Sequence, residues 1–262
     1  MNALGRVPAV FAFEWRRALT FPRLAWLVAL AALPPVLLGV VRSAAGSDPP
    51  LEIAAILVYV LAPCLACMMS VFLGAAPAIS AELEGRSWVY LAVRPHGPLA
   101  VLLGKYLVAV SWALPVGLIG AIGGSLVLMR EVSWRLITVQ CGLVVLSCVA
   151  YAAAFLLIGV IAPKRAMVLG VMYAIFFEVG ASLVPAAINL LTIQYRLRCL
   201  LVRGMEIDVS RLERNPILRS YLGEEPAIWH VSLLLLMAVG FVTVAGLLLR
   251  YREFAAAPET EG

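Results

Sequence analysis

The chain has 262 residues, of which 63% are hydrophobic and 13% charged, and its mean hydropathy is +1.00. A soluble domain is about half apolar and a quarter charged, so lipid is the expected solvent. The net charge of +5 does not point to nucleic acid, because the basic residues flank apolar runs, where they set topology.

The first predicted element is an amphipathic helix over Val7 to Arg23. Val7, Phe11, Trp15 and Leu19 fall near one face, and Glu14, Arg16, Arg17, Thr20 and Arg23 near others. That is the pattern of a helix in the headgroup layer. The segment is basic, but the apolar stretch after it is long and shows no small-residue cleavage site, so the reading keeps it as part of a span.

Six apolar runs follow at Leu24 to Val41, Leu51 to Ile79, Leu99 to Met129, Leu136 to Ala162, Ala166 to Leu191 and Ile228 to Leu249. Each is long enough to cross about 30 Å of hydrocarbon. They lack the alternation of barrel strands. The fold class expected is therefore an all-α membrane protein of six transmembrane helices, one domain over 1–262: an interfacial helix to residue 23, a bundle over 24–249 and a tail from 250. Pro63, Pro77, Pro115 and Pro185 predict kinks or breaks. Gly120 and Gly124 have a spacing that lets helices approach closely, within the chain or at a subunit interface.

With six spans, Arg6, Arg16, Arg17, Arg23, Arg86, Arg94, Lys105, Lys164, Arg165, Arg250 and Arg252 share the side of the N-terminus. The opposite short loops hold Arg42, Arg130 and Arg135. That bias predicts cytoplasmic termini. Thr192 to Pro226 resists the rule with six arginines, but it is longer than the other loops and also carries five acids. Its Tyr195, Leu197, Leu200 and Leu201 suggest an amphipathic helix at the outer surface, followed by turn signals at Asn215-Pro216 and Gly223.

Between runs two and three, Ile79 to Leu107 reads ISAELEGRSWVYLAVRPHGPLAVLLGKYL. Ala81, Trp88, Leu91 and Ala92 fit one helical face and Pro95 ends it, giving either a short interfacial helix or a solvated loop that fixes orientation. Glu178 stands in the fifth apolar run beside Phe176 and Phe177. A carboxylate there lines a path, couples motion, makes a buried hydrogen bond or lies near the surface.

The stretch after run two resembles the signature of ABC-2-type permeases. The resemblance rests on the acids Glu82 and Glu84, then Gly85 and Ser87, Leu91, Pro95 and Leu103-Gly104-Lys105. His96-Gly97 departs from the Ser-Arg type pair common in that family. The resemblance extends loosely over the whole chain and implies a cytoplasmic coupling helix, with Glu82, Glu84, Gly85, Arg86 and Ser87 docking a separate ABC ATPase subunit. It also implies an N-terminal connecting helix bearing Glu14, Trp15, Arg16 and Arg17, and an external helical hairpin before the last span. The implied protein is the permease subunit of an ATP-driven exporter in a bacterial inner (plasma) membrane, a homodimer or a heterodimer with a similar permease, surrounded by membrane lipid. ATP and magnesium would sit on the partner, with no cofactor or metal on this chain.

Other chemistry finds little footing. Gly104-Lys105 lacks the phosphate-cradling loop of an ATPase and leads into an apolar run. His96 and His230 lie far apart with no H-E-x-x-H, and no G-x-S-x-G elbow occurs. Cys64, Cys67, Cys141, Cys148 and Cys199 suggest no disulfide framework, and Cys64-Leu-Ala-Cys67 is a packing pair or, less readily, a metal or redox one. The rival reading is an ATPase-independent protein: a proton-coupled transporter using Glu178, or a membrane assembly scaffold.

Overall fold

A computed structural model describes residues 7–84, 97–131, 133–180, 187–207 and 225–251. Among these residues the protein is all-α: α1 (Val7–Ala18), α2 (Phe21–Ala45), α3 (Leu51–Glu82), α4 (Gly97–Leu128), α5 (Trp134–Ile161), α6 (Ala166–Met172), α7 (Ile193–Met205) and α8 (Ala227–Tyr251). Five of them, α2, α3, α4, α5 and α8, are long and apolar enough to cross a membrane.

Local chemistry explains the boundaries. Thr20 breaks α1 from α2 in extended conformation, and Pro22 sits in the first turn of α2, where its missing N–H costs nothing. Span one therefore begins at Phe21, three residues before the expected Leu24, and Leu19 is exposed on the linker. Gly46, at φ 70°, closes α2 by donating to Arg42 O; only glycine adopts that backbone readily. Ser133 caps α5, its hydroxyl accepting from Leu136 N–H.

The prolines behave differently from one another. Pro63 lies in a wide π-turn, Val60–Ala66, and its carbonyl accepts from the Ser147 hydroxyl at 2.7 Å. Pro77 lies in a 3-10 turn, Ala76–Ala78. Pro115, expected to kink its helix, sits inside an α4 that continues unbroken over 32 residues; Pro185 lies outside the described residues.

Helix α5 is the centre of the bundle, packed by α3, α4, α6, α7 and α8, and Tyr151, Phe155 and Leu156 on it are fully buried. Helix α2 covers α4, where Pro34 and Leu38 rest on Gly120 and Gly124. A Cβ on Gly124 would lie 2.8 Å from Leu38 Cδ1. The small-residue spacing thus serves packing within the chain.

The fifth apolar run departs from a regular α-helix. Seven α-helical residues pass directly into eight in π conformation, Tyr173–Gly180, and residues 181–186 lie outside the described residues. A 3-10 turn, Ala187–Leu191, then leads into α7. Gly170 packs on Phe155 and Phe72, Glu178 reaches Tyr151, and Gly204 packs on Val139. So α6 covers one half of α5 and α7 the other.

The first half of the arginine-rich segment forms α7, which packs into the bundle: Ile193, Tyr195, Leu197, Cys199, Leu200 and Leu201 are all buried. Apolar contact with α5 and α8 outweighs the cost of bringing its arginines along. The second half of the expected hairpin, from residue 208 to 224, lies outside the described residues.

Candidate functional site

Two polar centres occupy the bundle. The first joins α1, the end of α3 and the start of α4. Val10, Glu14 and Arg17 recur at four- and three-residue intervals and so share one face of α1. Val10 rests on Gly104 so closely that a Cβ there would stand 2.6 Å from its Cγ1. One residue on, Lys105 Nζ lies 2.8 Å from Glu82 Oε1 and 3.1 Å from Glu14 Oε2. Arg17 Nη1 approaches the same Glu82 oxygen at 3.0 Å and Glu14 at 3.8 Å.

These four groups carry no net charge. The Glu82 and Lys105 side chains are 4% and 7% exposed, and such depth is tolerable only when each charge is met by its opposite. An aromatic stack closes the flank: Trp15 lies on Trp112 with ring centroids 4.6 Å apart, and the Arg23 guanidinium stands over Trp112 at 5.9 Å.

Glu14, Trp15, Arg17 and Glu82 are thus brought together, with Glu82 turned inward to the cluster. Arg16 remains exposed on α1. Glu84 ends the described helix, and the Gly85, Arg86 and Ser87 expectations fall outside the described residues. Sequence reasoning named Lys105 only for the motif and the topology, named Arg23 only for its helix face and the topology, and missed Trp112. A lysine about two turns inside an apolar helix was the available signal, since such a charge requires partners.

The second centre is at the break between α6 and α7. Glu178 is fully buried, and four donors converge on its carboxylate: Tyr173 OH at 2.5 Å and Ile193 N–H at 3.3 Å on Oε1, Tyr151 OH at 3.1 Å and Gln194 N–H at 3.0 Å on Oε2. Ile193 and Gln194 open α7, so the carboxylate sits on the positive end of that helix and accepts two amides without an intrahelical partner. Thr192 caps the same turn, its hydroxyl accepting from Tyr195 N–H.

The network continues into α3. Tyr59 OH donates to Gln194 Oε1, and the Gln194 amide donates to the Cys64 sulfur. Cys67, one turn on, instead packs against Gly117 and is buried. Tyr59, Tyr151, Tyr173 and Gln194 were missed, although hydroxyls and amides inside apolar runs are the sequence signal for such a network.

A third contact ties the far end. Arg135 forms a fork on Glu206, at 2.7 and 2.9 Å, and its Nε donates to Gly204 O. Arg135 holds the exposed Glu206 carboxyl below the usual carboxylate range. His230 is buried against the Tyr195 ring, and His96 lies outside the described residues. Among the described residues no group of three His, Cys, Asp or Glu is placed to hold a metal.

No family model matches the chain, and no curated protein matches it either. Among the described residues the protein is helical, with five helices long and apolar enough to span a membrane.

Proposed function

We propose that this chain is the permease subunit of an ATP-driven ABC exporter, docking a separate ATPase at the end of the bundle that carries α1. The observation that carries the reading is the meeting of Glu14, Glu82 and Lys105. The N-terminal helix, the acidic segment and the Gly-Lys pair, distant in sequence and joined so far only by resemblance, form one charge-neutral cluster. A force on the segment after Glu82 would pass through Lys105 into α4 and through Arg17 into α1. In this reading residues 166–205 make the fifth of six crossings as two half-helices, and two permeases pair around a shared path.

Affinity isolation from native membranes in mild detergent, with partners identified by mass spectrometry and ATP hydrolysis assayed on the same complex, tests the assignment. A stoichiometric ATPase is the expected result; reproducible recovery of intact, folded permease without one overturns it. Glu84→Lys probes docking with the least disturbance of the cluster, while Glu82→Lys also opens it.

A second reading, proton-coupled transport through Glu178, has in its favour the complete burial of that carboxylate. It is the weaker one. All four neighbours donate to its oxygens and two of them are the first amides of α7, an arrangement that suits a fixed structural cap.

A further inference from the structure

The opposite end of the bundle contains a cavity of about 450 Å³ between the last turn of α2 and the end of α4, lined by Gly39, Arg42, Ser43, Asp48, Val127 and Arg130 among others. Two of the three basic residues in the short loops of this side meet here. Arg42 donates to Val127 O at 2.6 Å, and Arg130 N–H donates to Asp48 at 3.0 Å. Both guanidinium groups stand 3.9 Å from Asp48, beyond hydrogen-bond distance, and that of Arg130 is 75% exposed. One carboxylate between two arginines leaves a charge of +1, and both arginines line the cavity.

Below the cavity the surface is apolar. Ala32, Val36, Gly39 and Ser43 recur at four, three and four residues along α2, and Ile119, Gly123, Leu126 and Arg130 do so along α4 and just past its end. Each set forms a stripe that ends at the cavity. Val36, Ile119 and Leu126 are 62%, 57% and 46% exposed. Trp134 opens α5 four residues after Arg130 and is 76% exposed, marking the interfacial level where tryptophan concentrates.

We propose that this cavity binds a phospholipid, with the phosphate on Arg130 and Arg42 and an acyl chain along the two stripes. Phosphate chemistry alone has two sources, a headgroup or the free ion, and the surroundings favour the headgroup. The walls are the C-terminal ends of α2 and α4, whose carbonyls disfavour any anion, so the two arginines alone would hold a phosphate weakly, and the stripes add the apolar contact that only a lipid uses. The size falls within the usual range of small-molecule sites.

The test is thermal unfolding of the purified full chain in detergent, titrated separately with phosphatidylglycerol, with diacylglycerol of the same chains and with inorganic phosphate. A saturable rise in Tm with phosphatidylglycerol alone is expected. Arg130→Gln, at an exposed position, should leave the lipid-free Tm unchanged and weaken the lipid response about tenfold, the loss of one charge-assisted contact. Ser43→Leu, on the exposed wall, should obstruct the headgroup without altering either arginine. An equal rise with diacylglycerol removes the phosphate from the assignment, and an equal rise with inorganic phosphate removes the lipid. No saturable rise with phosphatidylglycerol, or an undiminished response in both variants, overturns the site.

Discussion

The cluster at Lys105 and the cradle at Glu178 both bury carboxylates, by opposite means. At Lys105 the remedy is opposite charge, drawn from three helices distant in sequence. At Glu178 it is four neutral donors, two of them amides of the helix that the carboxylate starts. The first arrangement ties elements together and depends on a balance of charge. The second completes a local break in the backbone, where the amides cannot be removed by mutation and must find an acceptor.

The comparison breaks first at Glu178. Glu178→Ala strands two amides and two hydroxyls and should cost about 3 to 5 kcal/mol, whereas Glu178→Gln keeps acceptor capacity and should cost clearly less. Denaturant unfolding of the detergent-solubilised protein measures both, and equal losses would show that the charge matters more than the cap.

Lys105→Met should cost less, about 2 to 4 kcal/mol, because Arg17 still faces Glu82. Adding Glu82→Gln should recover part of that loss. A double-mutant cycle with a coupling energy of about 1 to 3 kcal/mol is the expected result, and a value near zero would dissolve the cluster as an energetic unit. The corresponding cycle on Glu178 and Tyr173 should give a smaller coupling, since Tyr173 is a neutral donor.

The smallest effect is expected at the exposed Arg135 and Glu206 pair, a surface version of the same charge remedy. Its carboxyl titrates lower in the folded protein than in the unfolded chain. Its stabilisation is therefore complete above the ordinary carboxylate pKa and is lost as pH falls through the lowered folded value. Tm measured against pH should separate the native protein from Glu206→Gln near neutrality and bring the two together in acid.

Hydropathy made the long spans legible because each is a local property of about 20 residues, and the glycine spacing on α4 was legible for the same reason. The fifth run was not. Its apolar composition is continuous from Ala166 to Leu191, yet the helix changes character at Tyr173 and a new helix begins at Ile193. What organises that break is a carboxylate meeting amides 15 and 16 residues away, a tertiary fact. Arginines at 196 and 198 likewise pointed to water, while burial of the apolar residues between and around them decided the position of α7. In the charge cluster, Glu14, Arg17 and Glu82 were recognisable as individuals; that they face one lysine follows only from the packing of α1 on Gly104.

The wide turn at Val60–Ala66 acts as a phase shifter within α3. Ala55 and Leu73 are about five full turns apart on an ordinary α-helix and would point the same way. Ala55 has no exposed surface, and Leu73 is 43% exposed. The turn holds in effect a surplus residue, which re-aims the far half of the helix toward different neighbours. A one-residue deletion inside it would return the helix to a single phase, and one placed elsewhere would swing everything beyond by about 100°. The two halves of α3 are thus separate gear wheels on one shaft, their relative angle set by the turn that carries Pro63.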